Sequence, residues 1–263
     1  MPTFEKSRRL NCAGIDTFVA ETGSGPPMVL LHGNPDTHDV WSYAVESLKR
    51  DFTCYAPDVP GFGESAIQDP CDLDRMADWV AALLTELKVE KPHLVIHDVG
   101  GTYGLAFAAK YPERIGKLTI FNCTFFPDYE WHFWGKVWRL PIIGEISMAF
   151  GNRTLFIKET NKGSPKIPRE YLERAYDSYG SKTRKQVLRF YRYLSPFRFN
   201  GWDKRLLESL KQFPAQVIWG DKDPYIPKSH ADRFGVKVHR FPELGHWSML
   251  DEPAEVAAKI RSL

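Results

Sequence analysis

The chain of 263 residues reads as an α/β protein: a mostly parallel central sheet flanked by helices, with a helical cap inserted into it. Three observations predict this. Short apolar runs bounded by turn residues recur at Met28–His32, Thr53–Ala56, Pro92–His97, Lys117–Phe121, Ala215–Trp219 and Val236–Arg240, as buried strands do. Longer helical patterns lie between or after them, at Asp72–Leu87, Thr102–Tyr111 and Pro253–Leu263. The stretch from about Phe125 to Pro196 breaks the alternation, being rich in Trp, Tyr, Phe, Lys and Arg with no strand-like run. The predicted organisation is a core of 1–124 and 200–263 with a helical cap of 125–199 seated over the carboxyl ends of the strands, where open parallel sheets bind ligands.

Each element has a local reason. The turn GSGPP at 23–27 feeds the first buried strand. Composition excludes several classes of function. With 43% hydrophobic and 26% charged residues the chain is ordinary for a soluble globular protein, and its net charge of +2 implies neither a nucleic-acid nor a membrane partner. Lys6, Arg8 and Arg9 read as a solvated N-terminal face. The opening MPTFEKSRRLNCAG lacks an apolar leader core, and no run approaches the ~20 residues that cross a bilayer, so the expected location is the cytoplasm. Cys12, Cys54, Cys71 and Cys123 have no disulfide-framework or zinc spacing and are expected as reduced thiols.

The chemistry concentrates at strand ends. In LVIHDVGGTYG, residues 94–104, a buried strand runs into Asp98 and then Gly100 and Gly101 open a helix. A sharp strand-to-helix turn strains the backbone, exposes the side chain at its apex and points N–H groups of the new helix toward it. Asp is also a favoured helix N-cap, so this turn alone leaves both readings open. HGNP at 32–35 is a tight turn after the first central strand, where Asn34 offers a backbone N–H and a side-chain amide. The loop Asp58–Ser65 reads as structural, its glycines serving backbone conformation. WGDKDP at 219–224 supplies carboxylates after a later strand, and ELGHW at 243–247 puts His246 on the loop before the last helix. Nucleophile, acid and histidine after successive strands is the chain order of a hydrolase triad.

With these motifs in place, the sequence resembles the α/β-hydrolases that use an aspartate nucleophile, above all haloalkane dehalogenases and next epoxide hydrolases. VIHD at 95–98 and HGNP at 32–35 carry the resemblance. It implies Asp98 as nucleophile, His246 as base and Asp223 as its acid partner, with the N–H groups of Asn34 and Val99 as oxyanion hole. Asp223 is preferred to Asp221 because it stands just before Pro224, and Asn122 occupies the alternative acid position. An ionised Asp attacks without first losing a proton, and its target is an sp³ carbon bearing a leaving group. The implied substrate is a small apolar halogenated molecule, hydrolysed with water and with neither metal nor organic cofactor, by a monomer or weak homo-oligomer.

One residue departs from the dehalogenase pattern. Where those enzymes carry a halide-binding Trp directly after the nucleophile, this chain has Val99. Asn34 remains as one donor, and Trp131, Trp134 and Trp138 of the helical block are further candidates. An epoxide oxygen would need O–H donors instead: Tyr191 resembles a cap tyrosine of epoxide hydrolases, with Tyr171, Tyr176 or Tyr179 as its partner. Arginines expected of fluoroacetate-type dehalogenases are absent after Asp98, and no Gly-x-Ser-x-Gly exists for a serine esterase. A ligand-binding receptor or cofactor-free oxygenase on the same fold is the competing class, disfavoured by the complete Asp98–Asp223–His246 set.

Overall fold

The computed structural model describes residues 4–164 and 166–263, so Met1–Thr3 of the N-terminal stretch lie outside it. Eight strands form one sheet: β1 Lys6–Cys12, β2 Ile15–Thr22, β3 Pro27–Leu31, β4 Thr53–Pro57, β5 His93–His97, β6 Lys117–Phe121, β7 Ala215–Gly220 and β8 Lys237–Phe241. Their spatial order is β1-β2-β4-β3-β5-β6-β7-β8. β3 through β8 pair in parallel, whereas β2 runs antiparallel to both β1 and β4. The mostly parallel α/β sheet is therefore as expected.

The β1–β2 hairpin was invisible to a search for apolar runs. β1, KSRRLNC, is exposed along most of its length, because an edge strand with one open face need not be apolar. Its cations lie at the surface, Arg8 pairing with Glu21 and Arg9 with Asp16.

Twelve α-helices accompany the sheet among the described residues. α1 Ser42–Leu48 packs with α12 Pro253–Arg261 on one face, while α2 Leu73–Leu87, α3 Asp98–Lys110 and α9 Trp202–Ser209 cover the other. Each face has its own core, centred on Trp41, Leu48, Val256 and Ile260 on the first and on Trp79, Leu83, Phe107 and Leu206 on the second. α2 shows why its residues make a helix: Asp72 caps the Arg75 N–H, and Met76, Val80, Leu83, Leu84 and Leu87 fall on one buried stripe. Between β6 and α9 the described residues form helices and no strand: α4 Phe133–Arg139, α5 Ile143–Phe150, α6 Arg153–Gly163, α7 Arg169–Ser178 and α8 Ser181–Tyr193. Two one-turn helices, α10 His230–Arg233 and α11 Ser248–Asp251, complete the set.

α3 begins at Asp98, four residues before the predicted Thr102. Gly100 and Gly101 sit inside the helix, not ahead of it, because the first turn passes within hydrogen-bonding distance of another strand's end: Gly100 N–H donates to His32 O at 2.9 Å. A Cβ on Gly100 would lie 2.3 Å from that oxygen, so only glycine admits this contact. All four cysteines are buried free thiols, and no described helix is long and apolar enough to cross a membrane.

Candidate active site

β4 lies on one side of β3 and β5 on the other, so the order of connection reverses between β3 and β5. The carboxyl ends of two such strands diverge and leave a crevice. Asn34 follows β3 and Asp98 follows β5, which puts both in it. Asp98 has φ +47°, a left-handed conformation that an ordinary residue adopts only under constraint. Its helix takes His97 as N-cap, with no side-chain cap bond, so Asp98 is not consumed as a cap. The Asn34 backbone N–H donates to its Oδ2 at 2.8 Å, and the Val99 N–H also bonds the carboxylate. Burial raises the Asp98 pKa, and the charge of His246 and those two N–H bonds oppose the rise without cancelling it.

β7 and β8 deliver the other two groups. His246 Nδ1 lies 2.7 Å from Asp223 Oδ2, and both side chains are buried. A carboxylate on Nδ1 fixes the tautomer and leaves Nε2 as the basic nitrogen. Asp223 is anchored in turn: Oδ1 accepts the N–H groups of Tyr225 and Ile226, and Oδ2 accepts the Asn122 amide at 2.8 Å. Asp221 instead pairs with Arg240. Asn122 thus sits beside the acid as its hydrogen-bond donor. Burial alone would lower the His246 pKa, but the Asp223, Asp98 and Asp36 carboxylates outweigh it and the net shift is upward.

Asp36, Gly163 and Ser164 escaped the sequence reading, yet they hold the histidine loop. The buried Asp36 carboxyl accepts from the Tyr171 hydroxyl and, at 3.0 Å, from the Trp247 indole N–H. Burial lifts it to about 7 against those two donors. His246 N–H donates to Gly163 O at 2.7 Å and Trp247 N–H to Ser164 Oγ at 2.9 Å. The position of Asp36, directly after HGNP, was the available signal. Gly163 and Ser164 offered none, since a carbonyl and a hydroxyl that act across 83 residues of chain leave no local pattern.

A cavity of about 500 Å³ opens over Asp98 and His246. Asn34, Trp131, Trp134, Trp138 and Tyr191 all line it, as do Tyr176 and Tyr179. Val99 is not among its lining residues, and Tyr171 is turned away onto Asp36. The Trp131 indole nitrogen lies in the wall but is sealed from any water-sized contact and has no partner. Tyr191 differs. His132 Nδ1 accepts the Gly135 N–H, so the neutral ring carries its proton on Nε2, which lies 3.1 Å from the Tyr191 hydroxyl oxygen. Burial drives His132 down to about 4, which keeps it neutral. Tyr191 therefore accepts from His132 and keeps its own O–H free, with no protein acceptor among the described residues. The Asp98 charge is near enough to help raise the Tyr191 pKa, after burial.

Residues 28–259 match the alpha/beta hydrolase family. The chain is 29% identical to a cis-3-alkyl-4-alkyloxetan-2-one decarboxylase of Shewanella oneidensis, over 91% of this chain and 82% of that protein. It is 36% identical over 107 residues to a haloalkane dehalogenase of Mycolicibacterium paratuberculosis, covering 37% of this chain and 34% of that protein. Among solved structures, an epoxide hydrolase from Vigna radiata shares the fold with a TM-score of 0.79 at 19% identity, covering 98% of this chain and 97% of that one.

Proposed function

The chain belongs to the alpha/beta hydrolase family, and from that premise we propose that it is an aspartate-nucleophile hydrolase that opens small strained oxygen rings, epoxides first. The observation that carries this reading is the Tyr191 hydroxyl, held by His132 on the wall of the cavity that contains Asp98 and left with a proton to give. An oxygen leaving group needs such an O–H donor. A halide needs N–H donors, and here Val99 is aliphatic and the Trp131 N–H is sealed, which leaves Asn34, Trp134 and Trp138.

Asp98 Oδ attacks an sp³ ring carbon, the carbon–oxygen bond breaks, and the departing oxygen takes the Tyr191 proton. An ester to Asp98 results. His246 Nε2 then removes a proton from water, and the hydroxide adds to the ester carbonyl. The Asn34 and Val99 N–H groups bond the Asp98 carboxylate now and would hold the oxyanion, each contributing about 3–4 kcal/mol. Collapse releases a diol and Asp98, and the proton on His246 returns through water to the Tyr191 phenolate. Helices α4–α8 act as the cap that keeps bulk water from the first step.

An oxetan-2-one, the ring named for the Shewanella relative, also joins oxygen to an sp³ carbon, but Asp98 attack there would expel a carboxylate that needs no proton from Tyr191. Carbon–halogen cleavage is the second reading, favoured by Asn34 on the cavity wall and by the dehalogenase relative. A panel of terminal epoxides, oxetan-2-ones and haloalkanes, read by release of diol, of β-hydroxy acid or carbon dioxide, and of halide respectively, and by intact mass, separates these. His246→Gln should accumulate an adduct on Asp98 with the substrate that is turned over. Turnover without an adduct on Asp98 in that variant would overturn the nucleophile; halide release with no epoxide opening would replace the ring reading by the second one.

A further inference from the structure

Among the described residues, eight large apolar side chains are strongly exposed, and seven of them fall between Phe133 and Leu155: Phe133, Leu140, Ile142, Ile143, Ile146, Phe150 and Leu155. Scattered exposed apolar residues need no explanation, but a concentration on one segment does. Ile142 sharpens the point. It has φ +70° in a γ-turn closed by Ile143 N–H to Pro141 O at 2.8 Å, a strained conformation for a β-branched residue. The strain does not bury the side chain, which stays 72% exposed. Phe150 and Leu155 are 77% and 54% exposed and also line the cavity. The apolar face is thus continuous with the mouth of the site.

Charge decides what fits this face. Residues 133–158 hold Lys136, Arg139, Arg153 and Lys158 against the single carboxylate Glu145, which is paired with Arg192. Lys136 and Arg153 have acidic partners in Glu130, Glu173 and Asp177. Among the described residues Arg139 bonds carbonyls and the Ser195 hydroxyl but no carboxylate, and Lys158 has no acidic partner. A second copy docked face to face would oppose two faces of the same positive sign. An anionic lipid surface accepts both the apolar side chains and the cations.

We propose that α5 and the turns on either side of it seat the cavity mouth on an anionic phospholipid surface, from which apolar substrates enter the site without crossing bulk water. The chain as a whole, near charge balance, gave no reason to expect a membrane partner; the imbalance is local. No spanning helix is involved, and the attachment is peripheral. The inference does not depend on which bond the enzyme breaks, so a water-soluble epoxide reports on the chemistry separately.

The test is sedimentation of the full chain with vesicles of phosphatidylcholine alone or mixed with phosphatidylglycerol, beside Ile142→Ser/Ile143→Ser/Ile146→Ser and Lys158→Glu. The parent should pellet with the mixed vesicles and stay mostly soluble with phosphatidylcholine alone. The triple variant should lose at least tenfold in vesicle affinity, and Lys158→Glu should lose several-fold and become less salt-sensitive. Because all four side chains are exposed, circular dichroism should match the parent for both variants, and turnover of a water-soluble substrate should match it for the triple variant, whose residues lie off the cavity wall. No pelleting with either vesicle would overturn the proposal. So would a dimer in light scattering that the triple variant converts to monomer, since the face would then be a self-interface.

Discussion

The strand ends and the helical segment meet across one cavity but are built differently. At the strand ends Asp98, Asp223 and His246 are each fixed by short-range bonds to groups that cannot move far: two backbone N–H groups, the Asn122 amide and two more N–H groups, and a carboxylate plus a backbone carbonyl. On the helical segment the groups facing them are long aromatic side chains, held by single hydroxyl bonds where they are held at all: Tyr191 by His132, Tyr129 by the Tyr225 carbonyl and Tyr179 by the Met148 sulfur. On the proposed mechanism, bond-making chemistry falls to the strand ends, and leaving-group and substrate recognition to the helical segment. This predicts a graded response to mutation.

The largest effect belongs to the strand ends. Asp98→Ala should lower turnover on the order of 10⁴-fold or more, with an unchanged circular dichroism spectrum. A substitution of Trp131, Trp134 or Trp138 costing as much would break the comparison. Next comes Tyr191→Phe, which should cost about 10²–10³-fold in kcat for an epoxide while leaving a haloalkane, if one is accepted, nearly unaffected. Equal losses on both would show that the hydroxyl does not serve the leaving group.

Gly245→Ala probes the seam between the halves. A Cβ there would meet the Gly163 carbonyl oxygen at 1.7 Å, so something must shift, at a cost of about 3 kcal/mol in denaturant unfolding. A variant as stable as the parent would mean that the two halves are not locked together at this point.

The pH responses are smaller. His246 must be unprotonated to act as base, and its pKa is raised, so the ester-hydrolysis limb should climb with pH through a value above the ordinary 6.5. Asp223→Asn removes the foremost of the raising influences and should move that limb downward, read in single-turnover kinetics. Asp36 gives the least effect. Its folded pKa of about 7 exceeds the ordinary 3.8, so between those values the folded chain holds a proton that the unfolded chain has lost. Stability should therefore fall as pH rises across that window, and Asp36→Asn should flatten the dependence, read as Tm against pH.

How much of this was legible in the sequence follows from the same division. The six parallel strands and the Asp98, Asp223 and His246 loops were readable because a buried strand is a short apolar run and each chemical group sits directly after one. The β1–β2 hairpin was not, because an edge hairpin needs no apolar run. In the helical segment an aromatic residue reads the same whether it faces a cavity, a core or water. Trp131, Trp134, Trp138 and Tyr191 were named in sequence and do line the cavity, but that Tyr171 bonds Asp36 while Tyr191 bonds His132 depends on how helices pack, which periodicity does not specify. The exposed row Ile142, Ile143 and Ile146 was hidden for that reason, since apolar residues in a helix predict burial until packing shows otherwise.

The bond from His246 N–H to Gly163 O has a consequence for inheritance. The histidine loop lies in one gene segment and the carbonyl that completes it in another, 83 codons upstream. A recombinant that kept residues 200–263 and took a foreign helical block would receive the histidine without its backbone acceptor and without the Ser164 hydroxyl that holds the next N–H. The block and the loop are therefore a single unit of exchange: functional chimaeras of this chain should be recovered when both come from the same parent, whatever the source of the strands between them.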